Sequence, residues 1–258
     1  MTLVTPNLIY RHIRSKKLAE GFALLENDAV VQSLLSMSNI MAVSRLKYND
    51  HGPVHSKIVA GSALEIFKVL FNSGISPSLI RDGVGDVEDS KLVTMFSAYL
   101  HDIGNAVHRV EHNVHGVVLA EKILDRLLPQ LYGDSISKMQ KIKCEILHGI
   151  FSHDEEVECL TVEAGIAKIA DGTDMAEGRA RIPYKVGKAD IHLYSALAIK
   201  KVEIIRGHEK PVKIKVDMTN PAGVFQIEYV LLRKIKTSGL ADYVEVVTYH
   251  NGAEVRKF

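Results

Sequence analysis

The chain has no tryptophan, only two cysteines and almost no net charge: 32 Lys+Arg against 31 Asp+Glu leave +1 over 258 residues. Near-neutrality excludes an overall basic field that would hold nucleic acid or an anionic membrane, so any anion must be met locally. Cys144 and Cys159 stand alone in apolar, helix-like surroundings, which excludes a disulfide framework and a thiolate zinc site. Long apolar runs are missing too. The longest uncharged stretch, Ala29 to Ser44, contains Gln32, Asn39 and four serines, short of the ~18 apolar residues of a membrane span. The opening MTLVTPNLIYRHIRSKK puts its apolar residues ahead of its basic ones, the reverse of a secretory signal. The expectation is a cytoplasmic protein with no membrane partner. With 47% hydrophobic and 24% charged residues, the remainder is that of an ordinary globule of one or two domains.

What is abundant is histidine. Twelve are present, and eight of them lie between His51 and His153. The pattern around them is helical. Asn27 or Asp28 caps a helix through Val30, Val31, Leu34, Leu35 and Ile40, and Pro53 opens a second that runs from His55 to Asn72 and stops at Gly74. Ile75 to Asp89 reads as a loop. Further helices are expected from about Ser90 into AYLHD, from Asn113 to Leu131, from Ser135 to Phe151 and from Thr161 to Ala170. After about Ala198 the period changes. KKVEIIRG and PVKIKVDM form a hairpin, with Val212, Ile214, Val216 and Met218 on one face. Asn220 and Pro221 open a helix carrying Val224, Ile227, Leu231 and Ile235 on one side, and YVEVVTY makes a third strand. The fold class expected is mainly α: a helical bundle over 1–190 followed by a small C-terminal α/β unit of β-β-α-β order over 199–258, with the boundary within 181–198.

In LHDIGN, His101 and Asp102 end an apolar helix, where a buried imidazole and carboxylate are costly unless a positive charge neutralises them. Other candidates come from other helices: His55 upstream, then His112 and His115 in EHNVHG, His148 and His153 in ILHGIFSHD, and Asp171 in AKIADGTD. The order is H…HD…H…H…D, one group per helix, as when a helical bundle builds a metal site from facing side chains. Imidazole and carboxylate without thiolate suit Fe, Mn, Zn, Co or Ni.

Over roughly Lys47 to Arg181 this ordered pattern resembles the HD superfamily of metal-dependent phosphohydrolases. The resemblance implies His55, His101, Asp102 and Asp171 as the ligands shared with mononuclear members. For the dinuclear branch it adds two histidines, assigned here to His115, in the HG opening an apolar helix, and His153, in the form I-x-x-H; His112 and His148 are the alternates. One or two divalent ions are then expected, with Asp102 bridging them. Many members carry HDxxK; this chain has Asn105 at that position, and it lacks the GYP tripeptide of the cyclic-di-GMP branch. Gly178-Arg179 is similar to the segment after the last Asp in the dinucleotide-tetraphosphate-cleaving members.

The chemistry implied is attack of a cation-activated water on a phosphate ester or anhydride, in a nucleotide, with Asp102, His112 and Arg179 as catalytic candidates. Lys57, Arg109, Arg179 and Arg181 are the candidate substrate-binding cations, and His51 and Asp50 candidate supports for His55. The rival is a non-catalytic nucleotide-binding sensor or scaffold with a structural metal. The lysines of the tail, Lys213 and Lys215 above all, mark it as an anion-binding, lid or homo-oligomer surface.

Overall fold

A computed structural model describes residues 2–176, 194, 195 and 197–258. The helical part is built around one helix whose C-terminal two-thirds is buried. In α5 (Val87–Leu100) every residue from Leu92 to Leu100 is buried, because the segment LVTMFSAYL carries no charge on any face. Packed on it are α1 (Lys16–Asn27), α3 (Pro53–Asn72), α7 (Ile136–Ser152) and α8 (Val162–Thr173), while α6 (His112–Tyr132) packs on α7. Helix α2 (Ala29–Asn39) begins at Asp28, whose carboxylate accepts from the Val30 and Val31 amides, and α3 has Pro53 in its first turn. Helix α1, capped by Ser15, was not expected from the sequence; only Leu18, Gly21, Phe22 and Leu25 are buried, a stripe broken by a glycine. The expected loop 75–89 contains a single turn, α4 (Ser78–Arg81), and the start of α5, fixed by a reciprocal Asp86/Asp89 capping box.

The tail is the expected β-β-α-β unit with two additions. Strands β2 (Ile199–Arg206) and β3 (Val212–Met218) form the hairpin, helix α9 (residues 224–236) crosses over, and β4 (Val244–His250) returns parallel to β3. A further strand, β5 (Ala253–Lys257), pairs with β4, and β1 (Thr2–Leu3), from the other end of the chain, pairs antiparallel with β2. The order is β1-β2-β3-β4-β5. Val212, Ile214, Val216 and Met218 are buried as their alternation requires. On the opposite face Lys201 pairs with Glu203 and Asp217 at 3.2 and 3.3 Å, and Lys215 lies 3.8 Å from each of the same two carboxylates. Lys201 and Lys215 are thus neutralised within their own sheet, while Lys213 lies over the Tyr249 ring at 5.9 Å. Among the described residues no helix is long and apolar enough to cross a membrane.

Where the N-terminal strand meets α3, buried Glu65 accepts from Thr2 Oγ1 at 3.1 Å and pairs with His12 at 2.8 Å and Lys68 at 3.3 Å. Burial raises its carboxyl, but the His12 and Lys68 partners outweigh this and hold it down at about 2. A carboxylate lowered in the folded state stabilises above its ordinary value of 4.5, and loses that contribution as pH falls toward 2. Acid unfolding should therefore steepen across this window by of order 3 kcal/mol, and Glu65→Gln should remove that part of the pH dependence in chemical denaturation series.

Candidate metal centre

Helix ends create the site. His55 stands in the first turn of α3, His101 at the C-cap of α5, His112 at the first position of α6, His153 at the C-cap of α7 and Asp171 in the last turn of α8. Asp102 begins a 3-10 turn, Ile103–Ala106, that lies against α6. That approach requires Gly104, since a Cβ there would lie 1.9 Å from the His112 carbonyl oxygen and 2.4 Å from the Gly116 nitrogen. Glu111, just before α6, adopts left-handed backbone (φ +56°), and this places His112, rather than a later residue, at the helix start facing Asp102.

The two carboxylate oxygens of Asp102 face different imidazoles. Oδ2 lies 3.4 Å from His55 Nε2 and 3.2 Å from His101 Nε2; Oδ1 lies 3.6 Å from His112 Nε2 and 3.8 Å from His153 Nε2. Asp171 Oδ1 closes the first group at 3.2 and 3.5 Å from His55 and His101. Nitrogen faces nitrogen within each pair, at 3.2 Å for His55 and His101 and 2.9 Å for His112 and His153.

The outer nitrogens explain why this arrangement calls for a cation. His55 Nδ1 bonds Asp174 Oδ2 at 2.7 Å, His101 Nδ1 donates to the Ala98 carbonyl at 2.8 Å and His153 Nδ1 to that of Ile150 at 2.6 Å. With the proton held on Nδ1, each Nε2 turns a lone pair inward, the tautomer in which imidazole binds a metal. Lone pairs of His55 and His101 then face one another and two carboxylates, an arrangement that is repulsive until positive charge enters. The titration behaviour agrees. Burial lowers His101, but Asp102 and Asp171 overcome it and raise its proton affinity; the proton stands where a cation would. Burial would raise Asp102 and Asp171, yet His101 beside the one and Lys234 and His101 beside the other hold both well below the usual carboxylate range. Burial and neighbouring positive charge push His112 down to about 4 and His153 well below its ordinary value, so both are neutral donors near pH 7.

His115, assigned as a ligand by the sequence pattern, stands apart from this cluster. It lies three residues past His112, about 60° around the helix, is half-buried, and makes no polar contact with the cluster among the described residues. His148 is also outside: its Nε2 accepts from the Leu160 amide at 3.0 Å, pinning the loop that follows α7. Lys57 does not reach the site. Two residues past His55 is 200° around α3, and its ammonium pairs with Glu26 of α1. Arg109 does reach it, with Nη1 3.3 Å from Asn105 Oδ1 and 3.8 Å from Asp102 Oδ1 and its side chain 38% exposed. Arg179 and Arg181 lie outside the described residues. His51 lies 3.9 Å from Asp102 Oδ2 and its ring packs 5.8 Å from that of His55, while Asp50 accepts from the Gly52 amide in its own turn. Asn105, at the position where many family members have lysine, donates to Asp102 Oδ1 at 2.8 Å and so orients the shared carboxylate.

Two residues of the site were not singled out from the sequence. Asp174 orients His55. Lys234 of α9, almost wholly buried, pairs with Asp171 Oδ2 at 2.8 Å and donates to the His153 carbonyl at 2.9 Å. Its signal was present: it falls three residues after Leu231 and seven after Ile227, on the apolar side of its helix, where a lysine is unusual.

Residues 54–176 match the HD domain family model. The chain is 50% identical over 223 residues to the uncharacterized protein MJ1020 of Methanocaldococcus jannaschii, a match covering 86% of this chain and 85% of that protein. No solved structure matches. The helical bundle, the buried His/Asp cluster and the family match together assign the chain to the HD superfamily of metal-dependent phosphohydrolases.

Proposed function

We propose that this protein hydrolyses a phosphate ester or anhydride in a small phosphorylated substrate, a nucleotide, using two divalent transition-metal ions. The observation that carries the proposal is the division of Asp102 between two imidazole pairs. One cation would be held by His55, His101, Asp102 and Asp171, the other by Asp102, His112 and His153. Bound there, such ions would polarise phosphate oxygens and lower the pKa of a coordinated water toward ~7. The chain's own groups do the rest. Asn105 and Asp174 fix the orientation of Asp102 and His55, so the donors are preorganised. Arg109, held at the rim by Asn105, presents a guanidinium fork whose two parallel N–H groups match phosphate oxygens. A small substrate is favoured over a polyanion because the chain's net charge is only +1, with Arg109 at the rim of the site and Lys201 and Lys215 paired within the tail's sheet.

The test is to strip the purified protein, reload it separately with Mn, Fe, Co, Ni or Zn, and assay phosphate and nucleotide products from mononucleotides, dinucleotide polyphosphates and cyclic nucleotides. Turnover with at least one pairing is expected. Tight nucleotide binding with no turnover under any metal would replace the hydrolase with the sensor reading. Arg109→Ala should leave metal content unchanged and raise KM about ten- to a hundredfold, the worth of a charged hydrogen bond to phosphate, with a smaller effect on kcat.

A further inference from the structure

We propose that Lys234 is a positioning residue of the metal centre, and hence that the C-terminal helix α9 belongs to the site rather than to a separate appendage. The proposal rests on the ligand reading above and extends it. A buried ammonium is costly unless its donors are matched, and the two acceptors named for Lys234 come from different segments of the centre. Asp171 belongs to the group around His55, and the His153 carbonyl to the segment that carries the second imidazole pair. One side chain thus ties both halves together. Its ion pair occupies Asp171 Oδ2, leaving Oδ1 turned toward His55 and His101. Lys234 therefore makes Asp171 a one-oxygen donor of fixed direction.

Helix α8 is built to receive α9. Gly165 and Gly172, seven residues apart, share one side of the helix. A Cβ at 165 would lie 2.2 Å from the Ser238 carbonyl oxygen, and one at 172 would lie 2.9 Å from Leu231 Cδ1 and 3.4 Å from Lys234 Cδ. Contact is returned from the same side of α8: Lys168, fully buried, donates to Thr237 Oγ1 at 2.8 Å. The helix bearing Asp171 and the segment bearing Lys234 are thus stitched in both directions, so displacement of α9 moves a candidate ligand.

The experiment compares wild type, Lys234→Met and Lys234→Arg, each stripped and titrated with Co(II), by calorimetry and by the visible Co(II) spectrum, with circular dichroism and thermal melts reporting the fold. Lys234→Met is expected to keep its helix content, to bind Co(II) roughly 10- to 100-fold more weakly and to show an altered spectrum; Lys234→Arg should recover most of the affinity. Wild-type affinity and spectrum in Lys234→Met would overturn the proposal, as would Lys234→Arg no better than Met. Should Lys234→Met unfold, Gly165→Ala provides the same test with the lysine intact, by pushing residue 238 away from α8; unchanged Co(II) affinity there also overturns it. If wild type itself fails to bind the metal, it is the ligand reading that falls.

Discussion

Asp102→Ala is expected to lower the rate of phosphate release by at least about a thousandfold, on the scale of losing a principal electrostatic element of a catalytic site. Among the described residues it is the carboxylate that faces both imidazole pairs, so its removal deletes a donor from each at once. Metal content measured on the purified variant should fall in parallel. Asp102→Asn makes a sharper comparison. An amide keeps one acceptor oxygen but turns an N–H donor toward the other pair of Nε2 atoms, which lie within 4 Å of the two carboxylate oxygens. It should retain part of the metal and little of the activity. Wild-type turnover in the alanine variant would mean that the reaction takes place elsewhere.

Gly104→Ala should be among the most destabilising single-methyl additions in the chain. The atoms a methyl would meet, the His112 carbonyl oxygen at 1.9 Å and the Gly116 nitrogen at 2.4 Å, are both backbone, so no rotamer change relieves the clash. Either the 3-10 turn or the start of α6 must move. A cost of about 3 kcal/mol, at the upper end of ordinary overpacking, corresponds to a fall in Tm of roughly 6–12 °C for a chain of this size. Because the turn carries Asp102 and the helix carries His112, the metal-free protein should melt earlier and the surviving folded fraction should bind less metal. An unchanged melt would refute the close approach on which the site depends.

Much of this was legible in the sequence, for reasons that can be named. The His101-Asp102 pair stands out because it ends an apolar helix, where a polar group needs a buried partner, whereas His55, His153 and Asp171 follow from the ordered pattern's resemblance to the HD family. Choosing between His112 and His115 was a different problem. They sit one turn apart, and which of them faces Asp102 depends on the backbone at Glu111, whose left-handed conformation leaves no mark in hydrophobic periodicity. Lys57 misled because nearness in sequence to His55 is not nearness in space: two residues along a helix turn the side chain to the far side. Asp174 and Lys234 act through contacts with segments distant in the chain, His55 and Asp171. Strand β5 is exposed along its whole length, so it lacks the alternation that marks a half-buried strand, and β1 is too short to show any.

The pairing of Thr2 with Ile204 sets an order of events. During synthesis the first strand must wait for about two hundred residues before its neighbour in the sheet exists, and Lys234 is later still. A nascent chain can gather all six candidate ligands into its helices while the lysine that steadies Asp171 is not yet made. On the proposal made for Lys234, a chain that ends before residue 234 would hold a bound cation more loosely than one in which α9 has docked. Non-local contacts of this kind slow folding, and here they place the steadying of Asp171 after the helix that carries Lys234 has been made.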